Sequence, residues 1–161
     1  MRGGALPPAL LLAALGLALG SARPRVQGTS LVVLGATLAA LSRMTVPPAW
    51  LEVVFLGCWA SVAITAATVH LRHGPGWIAA VALSLNAGLW SCGVVALSGS
   101  GADILKSAPA VLLLLPAAWL MARRASIAVK VASSWLMAIA ILAAALAFLP
   151  VTPGYLPDHL E

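Results

Sequence analysis

Apolar side chains fill this chain in long blocks, each ended by charge, proline or glycine. Six such blocks cover approximately 5–22, 27–42, 48–69, 76–98, 107–122 and 126–149. Their lengths suit helices that cross a bilayer, whose hydrocarbon core is about 30 Å thick and takes about 20 apolar residues. The second and fifth are short: about 16 residues at ~1.5 Å each reach ~24 Å, so they need flanking residues, a thinned bilayer or shielding by neighbours. The breaks carry turn chemistry, with Ser21-Ala22-Arg23-Pro24-Arg25, Pro47-Pro48, His73-Gly74-Pro75-Gly76 and Gly99-Ser100-Gly101 between blocks. Short joints between long helices make neighbours antiparallel. The expected fold is therefore all-α: a polytopic transmembrane helical bundle of about six spans arranged as three sequential hairpins, one domain over 1–161 with a short outer tail at 150–161.

Composition removes the alternatives. Of 161 residues, 62% are hydrophobic and 8% charged, too few polar groups to cover a water-soluble domain. Disorder is excluded by the same abundance of Leu, Val and Ala. The net charge of +5 comes from basic residues scattered singly or in pairs; without a basic patch interleaved with aromatics, nucleic acid is not an expected partner. Cys58 and Cys92 lie inside apolar blocks and form neither a disulfide framework nor a CxxC motif.

Sorting charges by side of the six spans orients the chain. Arg23, Arg25, Arg72, Arg123, Arg124 and Lys130 fall on one side; Arg2, Arg43, Lys106 and the acids Glu52, Asp103, Asp158 and Glu161 fall on the other. Lys and Arg favour the first side as cytoplasmic, which predicts a cell membrane protein, the inner membrane if the cell is Gram-negative, with both termini outside. Pro8, Pro48 and Pro109 each sit where an odd-numbered helix is expected to begin. A rival reading makes the first block a cleaved signal peptide, with Arg2 before it and Gly20-Ser21-Ala22 as the cleavage site; Arg23 and Arg25 just beyond would resist translocation.

Candidate chemistry is sparse. Cys58, Ser61, Thr65 and Thr68 form a weakly polar stripe on the third block, and Ser84, Gly88 and Ser91 form one on the fourth, beside Cys92, so the two are expected to face each other. Asn86, about 200° around the helix from Ser84 and one turn from Trp90, should point inward and bond to a different helix. Glu52 near the outer end of the third block is expected to be solvated; turned inward it would offer a cation or proton site. Asn86, Glu52, Ser61, Thr65 and Ser84 are thus the binding candidates. Asp158, His159 and Glu161 in the tail are the metal candidates, three groups able to hold a hard or borderline cation. His70 and His73 share a face but flank Arg72, so they read as interfacial residues. Lys130 should reach the cytoplasmic interface through its long stem. Trp50, Trp77 and Trp119 fall at span ends as interfacial anchors, whereas Trp59, Trp90 and Trp135 lie inside spans and want an acceptor for the indole N–H. Gly16 and Gly20 spell GxxxG, a spacing expected by chance in so Ala-rich a segment, and Pro-Pro-Ala-x-Leu recurs at 7–11 and 47–51.

Paired intramembrane aspartates, HExxH, a serine beside a histidine, deep facing histidines for haem and phosphate-binding glycine loops are all missing. Catalysis and a cofactor are therefore not expected. What remains is a non-catalytic accessory or assembly subunit packing against other membrane proteins or against itself. The alternative is a small carrier or channel for a neutral solute or cation, resting on Asn86, Glu52 and the hydroxyl stripe.

Overall fold

The computed structural model describes residues 5–71, 74–98 and 101–148, and every regular element among them is helical. They are α1 (Leu6–Gly20), α2 (Pro24–Leu41), α3 (Leu51–Thr68), α4 (Trp77–Ser98), α5 (Gly101–Ser107), α6 (Leu114–Ala122) and α7 (Ser126–Leu146). A 3₁₀ turn, Pro48–Trp50, leads into α3, and a 3₁₀ stretch, Ala108–Leu113, joins α5 to α6. Among the described residues, four helical segments are long and apolar enough to cross a membrane: Pro48–Thr68, Trp77–Leu97, Ala102–Ala122 and Ser126–Leu146. That is consistent with a membrane protein, but it is four such segments where six spans were expected.

The differences have local causes. The first block yields a helix of 15 residues, about 22 Å long and shorter than the hydrocarbon core. The second begins at Pro24 rather than 27, because proline at the first helical position needs no N–H acceptor and is already set to helical φ. This brings Arg25 into the helix and makes α2 less apolar than the crossing helices. The fifth is longer than expected, since helical structure reaches back through the presumed outer loop to Gly101, where Lys106 Nζ pairs with Asp103 one turn earlier at 3.4 Å. Pro109 does not begin a helix; it lies in the 3₁₀ stretch, six residues long where three or four is usual, with Pro116 just beyond it. Neither proline offers an N–H to the turn before it.

Three sequential hairpins are not what forms. α3 and α4 are antiparallel neighbours, but α2 lies along α4 rather than α1, and α3 also packs extensively on α7. At the centre stands α1, against α3, α4 and the α5–α6 segment, with every residue from Leu11 to Gly20 buried. An apolar helix with no polar face has to be enclosed or lipid-exposed on all sides, and here neighbours enclose it. Its close approach depends on the GxxxG pair. A Cβ at Gly16 would lie 2.8 Å from the Val111 carbonyl oxygen, and one at Gly20 would lie 2.5 Å from Ala117 Cβ. Chance spacing or not, these glycines set the tightest helix contact of α1. The repeated Pro-Pro-Ala-x-Leu has no structural counterpart: residues 7–11 are inside α1, whereas 47–51 form the approach to α3.

Candidate functional site

The interior polar groups sort onto two different interfaces. Asn86, half-buried on α4, donates from Nδ2 to Ser61 Oγ on α3 and accepts at Oδ1 from Trp90 Nε1, 3.0 Å away. Gly57, one turn before Ser61, lies beneath Trp90: an added Cβ would be 2.2 Å from the indole Cη2. Asn86, Trp90, Ser61 and Gly57 therefore form one joint, in which a missing side chain on α3 admits the indole and the amide bridges the helices. Towards the other end of this interface, Trp90 and Gly93 line an apolar cavity of about 300 Å³ with Val54 and Met44.

The second interface corrects an expectation. The Ser84, Gly88 and Ser91 stripe does not face the Ser61 and Thr65 stripe. At Gly88 and the neighbouring Cys92 this part of α4 faces α2: a Cβ at Gly88 would meet Thr37 Cγ2 at 2.7 Å and the Cys92 thiol lies 3.8 Å from the Leu38 carbonyl. The two-residue step from Ser84 to Asn86 turns the helix by about 200° and places them on different neighbours, as their spacing implied. Nothing in the order of the helices indicated that α2 would take the serine face. Ser84 Oγ donates to the Ala80 carbonyl at 2.9 Å, within its own helix.

Thr65 is wholly buried and its hydroxyl has no hydrogen-bond partner among the described residues, nor do those of Ser30 and Ser91 or the indole N–H of Trp59. One turn further, Thr68 Oγ1 returns to the Thr65 carbonyl at 2.7 Å. Ser133 of α7 donates to the Ala66 carbonyl of α3 and so ties those helices together. No feature of the sequence singled out Ser133 for this role. Glu52 is exposed in the first turn of α3, at the opposite end from Thr65 and away from Asn86. The five binding candidates are thus not one site: Asn86 and Ser61 meet, Thr65 follows on α3, and Ser84 and Glu52 stand elsewhere.

Asp158, His159, Glu161 and His73 lie outside the described residues, and no cluster able to hold a metal occurs among the described ones. His70 is exposed, with Nε2 3.3 Å from Ser134 Oγ. The tryptophans expected at span ends, Trp50, Trp77 and Trp119, are all exposed, and the Arg123 guanidinium lies 4.4 Å over the Trp119 ring. Of those expected inside, Trp59 is buried against Phe55, Trp90 serves Asn86, and Trp135 faces outward.

The joints before α2, before α4 and before α7 gather at one end. Gly74 lies directly against the Ser21 carbonyl, and Ser21, Val69, Leu71, Gly74, Met121, Ser126 and Lys130 line a crevice of about 300 Å³ there. Arg23, Arg25, Arg123 and Arg124 belong to the same joints. Fold and interior together define an all-helical chain with membrane-capable helices, held by small-residue contacts and a few interhelical hydrogen bonds. Compared with known protein families, curated proteins and solved structures, the chain finds no match.

Proposed function

We propose that the protein is a non-catalytic membrane subunit that packs against another membrane protein and supports its assembly, with its basic end in the cytoplasm. The observation that carries this reading is Trp135. It lies mid-way along α7, is 75% exposed, and its indole N–H has no hydrogen-bond partner among the described residues. In hydrocarbon an indole N–H seeks an acceptor. Ile127, Val131 and Leu142 continue an exposed apolar stripe along the same helix. A partner helix laid on this stripe would bury it and supply an acceptor. The α7 and Ala102–Ala122 segments are each 17% buried, against 50% for Trp77–Leu97, so much of their surface is left open. The bridging role of Asn86 and Ser61 agrees, since the strongest interior polar groups are engaged in holding helices together.

The test is purification of a tagged chain in mild detergent. One membrane protein should accompany it in fixed ratio, and deleting the gene should lower that partner's level. Recovery of the chain alone, with solute flux after reconstitution, would reverse the reading in favour of a carrier. The buried, unpartnered hydroxyl of Thr65, one turn from Ser61, is the feature a carrier would use.

A further inference from the structure

We propose that the apolar cavity between α3, α4 and the joint at residues 42–47 is a lipid site that takes one acyl chain of a membrane phospholipid. It holds about 300 Å³ and is walled by Met44 from the joint, Val53 and Val54 from α3, and Leu89, Trp90 and Gly93 from α4. None of its lining residues belongs to α7, so the site does not depend on a partner protein there.

Two glycines build this cavity. Gly57 lets the Trp90 ring sink onto α3, and Asn86 Oδ1 fixes the indole N–H at 3.0 Å, so the ring is held as a floor and does not swing into the space. Gly93, one turn beyond Leu89, leaves its side of α4 bare. A Cβ there would already come within 3.1 Å of Val54 Cγ1, so a larger side chain would close the slot. Protein interiors are close-packed, and voids larger than a water molecule are few. A space of this size kept open between packed helices therefore calls for contents.

Size and chemistry select the occupant. One turn of a helix with its side chains, 10–12 Å across and 5.4 Å tall, takes about 400 Å³ or more, so a partner helix does not enter. Ordered water needs several polar partners. The wall offers one free hydroxyl, that of Thr45, because the Trp90 N–H is engaged by Asn86. An apolar cavity of ~150 Å³ takes a benzene ring, so twice that volume admits about a dozen carbons. The slot runs from Trp50 towards Gly57, about 10 Å along α3, which suits an extended methylene chain. Its mouth lies at the end of the bundle where α3 begins, and Met44, Trp50, Val53 and Leu89 there are each about half exposed. Arg43 and Glu52, both exposed, adjoin Met44 and Val53 in the chain, so both signs of charge border the mouth. That pairing suits a zwitterionic headgroup, with Thr45 placed to donate to an ester carbonyl.

The test is photolabelling of the full chain in phosphatidylcholine vesicles that contain a phosphatidylcholine with a diazirine along one acyl chain, with adducts mapped by peptide mass spectrometry. Label should reach Val54 and Trp90 inside the slot as well as Trp135, which is exposed on α7. Gly93→Leu, which fills the slot, should abolish the adducts at Val54 and Trp90 and keep those at Trp135. Val53→Phe narrows the mouth from an exposed position and should do the same, which keeps the test decisive if Gly93→Leu folds poorly. Val32→Phe, on the exposed face of α2, should leave all the adducts in place. Label at Trp135 but not at Val54 or Trp90 in the native chain would mean that the slot is shut or filled by a second copy, and would overturn the proposal. Undiminished label at Val54 and Trp90 in both slot variants would overturn it too, as would an equal loss in Val32→Phe.

Discussion

Asn86→Leu removes the amide that joins α4 to α3, and its cost can be built from the geometry. The bond to Ser61 Oγ is lost; between helices in an apolar medium such a bond contributes about 0.6 kcal/mol on average and ~1.7 kcal/mol at most. Trp90 also loses its acceptor at 3.0 Å, leaving a half-buried indole N–H unpaired at about 1–2 kcal/mol. Leucine is similar in size to asparagine, so packing over Gly57 should survive. The expected destabilisation is therefore about 1.5–2.5 kcal/mol. Reversible unfolding in mixed dodecyl sulfate and maltoside micelles, followed by far-UV circular dichroism, measures it. A cycle with Ser61→Ala should return a coupling near ~0.6 kcal/mol. Adding Trp90→Phe to Asn86→Leu should recover some stability relative to Trp90 left with an orphan N–H. If Asn86→Leu unfolds within about 0.3 kcal/mol of the native chain and shows no coupling to Ser61, the amide is not a structural bridge.

Three further substitutions test other parts of the structure by the same unfolding assay. Gly20→Ala puts a Cβ 2.5 Å from Ala117 Cβ and should cost about 1–3 kcal/mol by overpacking, whereas Gly28→Ala, with open space around it, should be neutral or stabilising. Thr65→Val replaces a buried unpartnered hydroxyl with a methyl of the same shape and should hold or raise stability by up to ~1 kcal/mol; a clear loss would mean that the hydroxyl has a partner. Arg124, at φ 59°, is the left-handed residue of a Schellman turn at the α6–α7 corner. Arg124→Gly should stabilise that corner by about 1 kcal/mol, and a loss of stability would contradict the left-handed assignment there.

How far the chain's pattern foretold this structure varies by element. Uniform apolar runs ended by Pro47-Pro48, Gly74-Pro75-Gly76 and Arg123-Arg124 placed α3, α4 and α7 to within a few residues, because backbone hydrogen bonding in an apolar medium leaves helix as the available form. Gly99-Ser100-Gly101 reads as a loop, and it concealed a helix that starts at Gly101. Neighbour choice was harder to read. α1 is apolar on every side, so no periodicity pointed it at α6, and GxxxG in an Ala-rich helix carries little information until the facing backbone is known. The Ser84 and Gly88 face carries the small residues that any close helix needs, so it fitted α3 as well as α2. Asn86 was readable because an amide in an apolar span has to find a partner, although not which one. The Schellman arginine left no signal in sequence, since its usual marker is the glycine it replaces.

The claim that this bundle is completed by another protein is tested most directly on α7. A photo-crosslinking amino acid substituted at Trp135, activated in intact cells, should form a discrete adduct with one membrane protein, the same one that co-purifies, while the same group at Ile64, exposed on α3, should not capture it. Adducts with lipid alone from Trp135, together with a monodisperse chain that moves solute unaided, would contradict the account.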